Sequence, residues 1–172
     1  PFTGEFYGCG HTVSNLVVKG SSNYQGLFGY VKGSEDTKAA VKDVTVQGVV
    51  RTTATNVGGV IGSALYANIE NINSNVTVTV DRIDRNDNVA VIGGVVGEAI
   101  YSSIYHCTNS ADITAENQEK AGGIVGYASG CYIRSSSNTG SIRAGGSTGG
   151  IVGNYFVRRG SKGVLNCFNK GT

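Results

Sequence analysis

Branched apolar residues recur along this chain at intervals near thirty: Val13, Val41, Ile69, Ile104, Ile133 and Val164. Each opens a similar short phrase. Two residues on stand Asn15, Asp43, Asn71, His106, Ser135 and Asn166; three on stand Leu16, Val44, Ile72, Cys107, Ser136 and Cys167. The last three copies add Asn109, Asn138 and Asn169 at the fifth step, and small residues such as Gly48, Ala111 and Gly140 follow at the seventh. Between these phrases lie strictly alternating stretches. Val76-Thr77-Val78-Thr79-Val80 reads as a half-buried strand, and Ala111–Ala115 and Ser141–Ala144 read as the same strand in later units. No segment joins helical apolar spacing to a helix start signal over ten or more residues.

A second pattern alternates with the first. Gly26-Leu27-Phe28-Gly29 recurs as Gly59-Val60-Ile61-Gly62, Gly94-Val95-Val96-Gly97, Gly123-Ile124-Val125-Gly126 and Gly150-Ile151-Val152-Gly153. An extra glycine precedes the last four copies. A unit of about thirty residues cannot bury its own apolar face, so neighbours must stack. The chain is therefore expected to be all-β: a right-handed parallel β-helix, or β-solenoid, of about six coils over residues 1–172, a single domain. At a strand spacing of about 4.8 Å it would be about 30 Å long. An antiparallel sandwich also has short strands and frequent turns, but its hairpins need not repeat in register. The right-handed sense is taken from the usual hand of parallel crossovers. The glycines are expected to serve either special backbone angles or close approach, and glycine and asparagine to make the corners.

Composition agrees with strands. There are 22 Val and 12 Ile against 4 Leu, with 27 Gly, one Pro, no Met and no Trp. Branched side chains suit a pleated surface. The net charge of +2 leaves no electrostatic footprint for nucleic acid or an anionic membrane, and no apolar run is long enough to span a bilayer.

The glycine phrases resemble the GLUG repeat, found in bacterial surface and secreted proteins. Gly26-Leu27-Phe28-Gly29-Tyr30, Gly122–Ala128 and Gly149–Gly153 carry the likeness. Phe2–Leu16 is similar to the lead-in that precedes such repeats, and Val164–Gly171 to a closing Asn-Cys-Tyr-Asn-Thr-Gly segment, with Phe168 and Lys170 departing from it. The resemblance implies an extracellular or cell-surface location and a non-catalytic repeat module (spacer, display or adhesion region) of a larger protein. It also implies an alternative: a carbohydrate- or glycoprotein-binding accessory of a secreted enzyme, such as an immunoglobulin A peptidase. Partners would be a host glycan or protein and neighbouring domains of the same polypeptide. The chain is expected to continue beyond both termini, since an uncapped end coil exposes its core.

His11 and His106 are the two histidines, and neither has the helical His partner a zinc peptidase needs. The residues after the glycine phrases, Tyr30, Ser63, Glu98, Tyr127 and Asn154, form no carboxylate column of the calcium β-roll kind. Asp81, Asp84 and Asp87 alternate with Arg82 and Arg85, which oppose cation capture. Gly145–Gly150 lacks the Lys of a phosphate loop. Asp43 followed by Asn71, and Asp112 beside Thr77 and Ser141, make no acid–base pair. No cofactor, metal or catalytic residue is expected. Tyr66, Tyr101, Tyr127 and Tyr155 are the candidate ligand surface, because exposed aromatics stack on sugars or anchor proteins. Cys107 and Cys167 fall two coils apart, about 9.6 Å, too far for a disulfide. With Cys9 and Cys131 they are expected to be buried free thiols.

Overall fold

The computed structural model describes residues 1–81, 89–115, 119–158, 160 and 163–172. All of its regular structure is β, and every strand pair in it is parallel to its partner one repeat away. About five coils stack on one axis, matching the expected solenoid. Each coil contributes to three sheets. A broad twelve-stranded sheet holds the long strands Ala39–Thr52 and Ala67–Val80. In the next coil the same path breaks into Ser103–Tyr105, Thr108–Asn109 and Ile113–Ala115. A short sheet runs through Tyr24–Gln25, Asn56–Gly58, Val91–Gly93, Lys120–Gly122 and Thr148–Gly149. A return sheet runs through Phe28–Lys32, Ile61–Leu65, Val96–Ile100, Val125–Ser129 and Val152–Phe156. Among the described residues no helix is long and apolar enough to cross a membrane.

The core lies between these sheets and repeats the sequence columns. Val41, Ile69, Ile104 and Ile133 pair in register and are fully buried. Phe28, Ile61, Val96, Val125 and Val152 form the facing column on the return sheet. Each coil thus adds one layer of branched side chains, every buried one contributing about 2 kcal/mol of transfer free energy.

The first coil departs from the expected columns. Phe6, not Val13, stands opposite Val41, while Val13 pairs with Val46 and Leu16 with Gly48. The lead-in takes the start of that coil, turns at Cys9 and Gly10 (both with positive φ), and carries a bulge between Val13 and Leu16 where Asn15 is left-handed. The step to the next coil is therefore 35 residues at Phe6, 33 at Val13 and 32 at Leu16, past the one-residue bulge, and not 28. The aromatic rings of Phe2 and Phe6, each about 5 Å from that of Phe28, cover this end of the core.

The glycine columns answer the question the sequence left open. Gly59, Gly94, Gly123 and Gly150 do not have positive φ; they permit close approach. A methyl on Gly123 would meet Asn138 Cγ at 2.5 Å, and the same group on Gly94 or Gly150 would strike Asn109 or Asn169. Those asparagines form a ladder rather than corners. Asn109 Nδ2 donates to Asn138 Oδ1 and Asn138 Nδ2 donates to Asn169 Oδ1, both at 2.8 Å. Asn109 and Asn138 also donate to the carbonyls of Ala111 and Gly140. Both residues are buried, so the ladder satisfies polar groups that burial would otherwise penalise.

Candidate functional site

The broad sheet bends once per coil at a single left-handed residue. Asp43, Asn71, His106, Ser135 and Asn166 hold φ between 51 and 56°. Asp and Asn tolerate this region better than branched residues do, which explains a polar column two residues after an apolar one. At this bend, beside the Cys9–Gly10 turn, the outer surface is recessed. The recess has a volume of about 340 Å³ and is lined by Cys9, Gly10, Asp43, Val44, Thr45, Asn71 and Asn73.

The lining side chains hold one another in place. Asn71 Nδ2 donates to Asp43 Oδ1 at 2.7 Å, and Asn73 Nδ2 to Thr45 Oγ1 at 3.4 Å. Thr108 Oγ1, one coil further, donates to Asn73 Oδ1 at 2.9 Å. Beside the recess Lys42 and Glu70 pair at 3.1 Å, a hydrogen bond that raises the Lys42 pKa. Tyr7, in register with Lys42, is 51% exposed. Its hydroxyl donates to Glu5 at 3.1 Å, which raises its pKa.

A second polar seam joins the short and return sheets. Tyr30, Ser63, Glu98, Tyr127 and Asn154 are one outward column, and its neighbours on the short sheet reach across to it. Tyr24 stacks on Tyr30 at 5.2 Å, Asn56 and Ser63 both donate to Glu98 Oε2 at 3.0 Å, and the Lys120 ammonium lies 5.5 Å from the Tyr127 ring. This seam is occupied by its own contacts.

The four candidate tyrosines do not form one surface. Tyr66 and Tyr101 stack at 5.1 Å, each at a left-handed corner, and Arg158 lies 5.8 Å from the Tyr101 ring. Tyr127 is on the seam. Tyr155 pairs with Ala128 and packs against the core, its hydroxyl donating to the Cys131 carbonyl at 2.6 Å. The structural glycines Gly29, Gly62, Gly97, Gly126 and Gly153 lie where the return sheet passes the short sheet: a methyl on Gly97 would meet Val57 N at 2.6 Å. A methyl on Gly26 would likewise meet the Gly58 carbonyl at 2.9 Å.

All four cysteines are free, and Cys107 and Cys131 are buried as expected. Cys9 and Cys167 correct that expectation: Cys9 sits in the exposed turn at the rim of the recess, and Cys167 is half-buried. His106 is exposed at the bend, and Asp81 pairs with Arg51 at 2.6 Å. Asp84, Asp87, Arg82 and Arg85 lie outside the described residues. Among the described residues no three His, Cys, Asp or Glu side chains gather as a metal site would require.

The recess itself was missed by sequence reasoning. Its signal is the step of 28 from Asp43 to Asn71, which puts a carboxylate and an amide in one column without making an acid–base pair.

The fold and its polar bends define a parallel β-solenoid repeat domain. Two of its repeats, at residues 53–79 and 89–114, match the family model for the GLUG motif. Each match spans one glycine phrase and the broad-sheet segment that follows it. No curated protein and no solved structure matches the chain.

Proposed function

We propose that this domain is a non-catalytic extracellular module of a larger bacterial surface or secreted protein, a stiff segment that displays an adhesive surface. The observation that carries the reading is how the polar side chains are used. Asn109, Asn138 and Asn169 bond to each other from coil to coil, as do Asp43 with Asn71 and Asn73 with Thr108. Polar chemistry of this kind holds a rod in register and leaves its outer faces free to vary. The test is a glycan array with a host-protein panel, followed by mass spectrometry of whatever is retained. The expected result is retention of at least one glycan or glycoprotein in unaltered form. Cleavage or modification of a retained molecule overturns the non-catalytic reading, and a wholly negative screen removes adhesion.

A second reading, a carbohydrate- or glycoprotein-holding accessory of an attached enzyme such as an immunoglobulin A peptidase, draws on the polar recess at Asp43. It requires the enzyme to lose activity on glycoprotein, but not on a short peptide, when this domain is deleted.

A further inference from the structure

We propose that the recess at the bend of the broad sheet is a carbohydrate-binding site that takes a terminal neutral pyranose through adjacent hydroxyl groups. The inference deepens the adhesive reading above and rests on it.

Size comes first. A volume of about 340 Å³ is at the low end for small-molecule sites and suits one or two sugar rings, not a peptide loop or a nucleotide. Hydrogen-bonding chemistry comes second. A sugar hydroxyl both donates and accepts, so its receptor needs an anion to accept and an amide to donate, held side by side. Asp43 and Asn71 provide this pair. Asn71 donates one hydrogen bond to Asp43 Oδ1, which fixes both groups and leaves Oδ2 to accept from one hydroxyl. Asn71 Oδ1 and its second N–H remain for the adjacent hydroxyl. Thr45 accepts from Asn73 and so has its own O–H to donate. Hydrogen bonds to an ionised carboxylate are the stronger kind, and these side chains are already positioned, so little ordering is lost on binding.

Charge narrows the class. No lysine or arginine lines the recess, and the nearby Lys42 ammonium is paired with Glu70. Asp43 therefore repels sialic and uronic acids, leaving neutral sugars. The half-exposed Tyr7 ring stands in register one coil below Lys42, beside the recess, where a sugar's apolar face can rest on it. The other polar surfaces carry the idea less far, because Glu98 and the Tyr66–Tyr101 stack are engaged by their own neighbours.

A single open site of this kind binds weakly, with Kd of about 1 mM, so detection needs multivalent display. The experiment presents the biotinylated domain on streptavidin to an array of neutral (galactose-, mannose- and N-acetylglucosamine-terminated) and sialylated glycans. Neutral glycans are expected to bind, with Asp43→Asn and Asn71→Ala each lowering the signal at least tenfold. Asn75→Ala, on an exposed stretch of the broad sheet, should leave it unchanged, and thermal melts should show all three variants folded. A second readout needs no variant. Cys9 lines the recess, and alkylation of Cys9 by iodoacetamide, mapped by mass spectrometry, should slow at least threefold in the presence of the bound glycan. If glycans bind but neither the variants nor Cys9 alkylation respond, the site is elsewhere: the proposal fails and the adhesive reading stands. Preference for sialylated glycans also overturns it. If nothing in the array or the protein panel binds, the proposal and the adhesive reading fail together.

Discussion

At the scale of single residues, burial separates groups of identical chemistry. Cys9 is exposed, whereas burial pushes the Cys107 thiol from 9.0 up to about 12 and raises that of Cys131. Iodoacetamide at pH 8 should modify Cys9 in the folded protein and leave Cys107 and Cys131 unmodified, as peptide mapping would show. The Cys107 shift has a sign for stability. The unfolded thiol ionises near pH 9 and the folded one near 12, so above pH 9 the unfolded state releases a proton that the folded state keeps. This contribution is whole below pH 9 and is lost as pH rises toward 12. Denaturant titrations between pH 8 and 11 should show a shallower alkaline loss of stability in Cys107→Ala than in the parent. Glycines divide in the same way. Gly123→Ala would drive a methyl onto Asn138 and the Gly150 carbonyl and should cost about 3 kcal/mol. Gly10→Ala meets nothing within 4 Å and pays only for its φ of 76°, about 1 kcal/mol. Equal losses in urea titration would remove the close-approach explanation.

At the scale of elements, the asparagine ladder and the left-handed bend shape each coil. Asn138 bonds to asparagines on both sides. Asn138→Ala leaves Asn109 without one of its two acceptors, removes the donor to Asn169 and opens a void beside Gly123. It should cost about 3 kcal/mol. Asn169→Ala, at an exposed position, should cost about 1 kcal/mol. Comparable losses would show that the ladder does not work as a buried network. The columns in which these residues stand were legible in the sequence, because parallel pairing repeats every side chain at one spacing. Their orientation was not. Asn71 and Asn109 both follow an apolar residue of the same phrase, yet one marks an exposed left-handed bend and the other a buried rung. Only the left-handed residue itself, Asn71 or His106, which shifts the alternation so that Cys107 and Asn109 face inward with Ile104, tells them apart.

At the scale of the molecule, stability should vary along the axis. Each coil contacts chiefly its neighbours, so a layer is worth most where both sides are covered. Ile104 is fully buried between Ile69 and Ile133, while Val164, in the same column, is 40% exposed. Ile104→Ala should cost about 4 kcal/mol and Val164→Ala under about 1 kcal/mol; similar values would contradict a core built in stacked layers. The sequence by itself determined the architecture, since a repeat near thirty residues with matched apolar columns can bury its faces only by stacking in parallel. It did not determine the phase of the first coil, where a turn at Cys9–Gly10 and a bulge at Asn15 put Phe6 rather than Val13 under Val41. Nor did it show which polar columns close on themselves and which border a hollow. The tertiary structure decided both, because the angle between successive strands, and the space it leaves outside, depends on backbone conformation at one residue per coil rather than on the spacing of side chains.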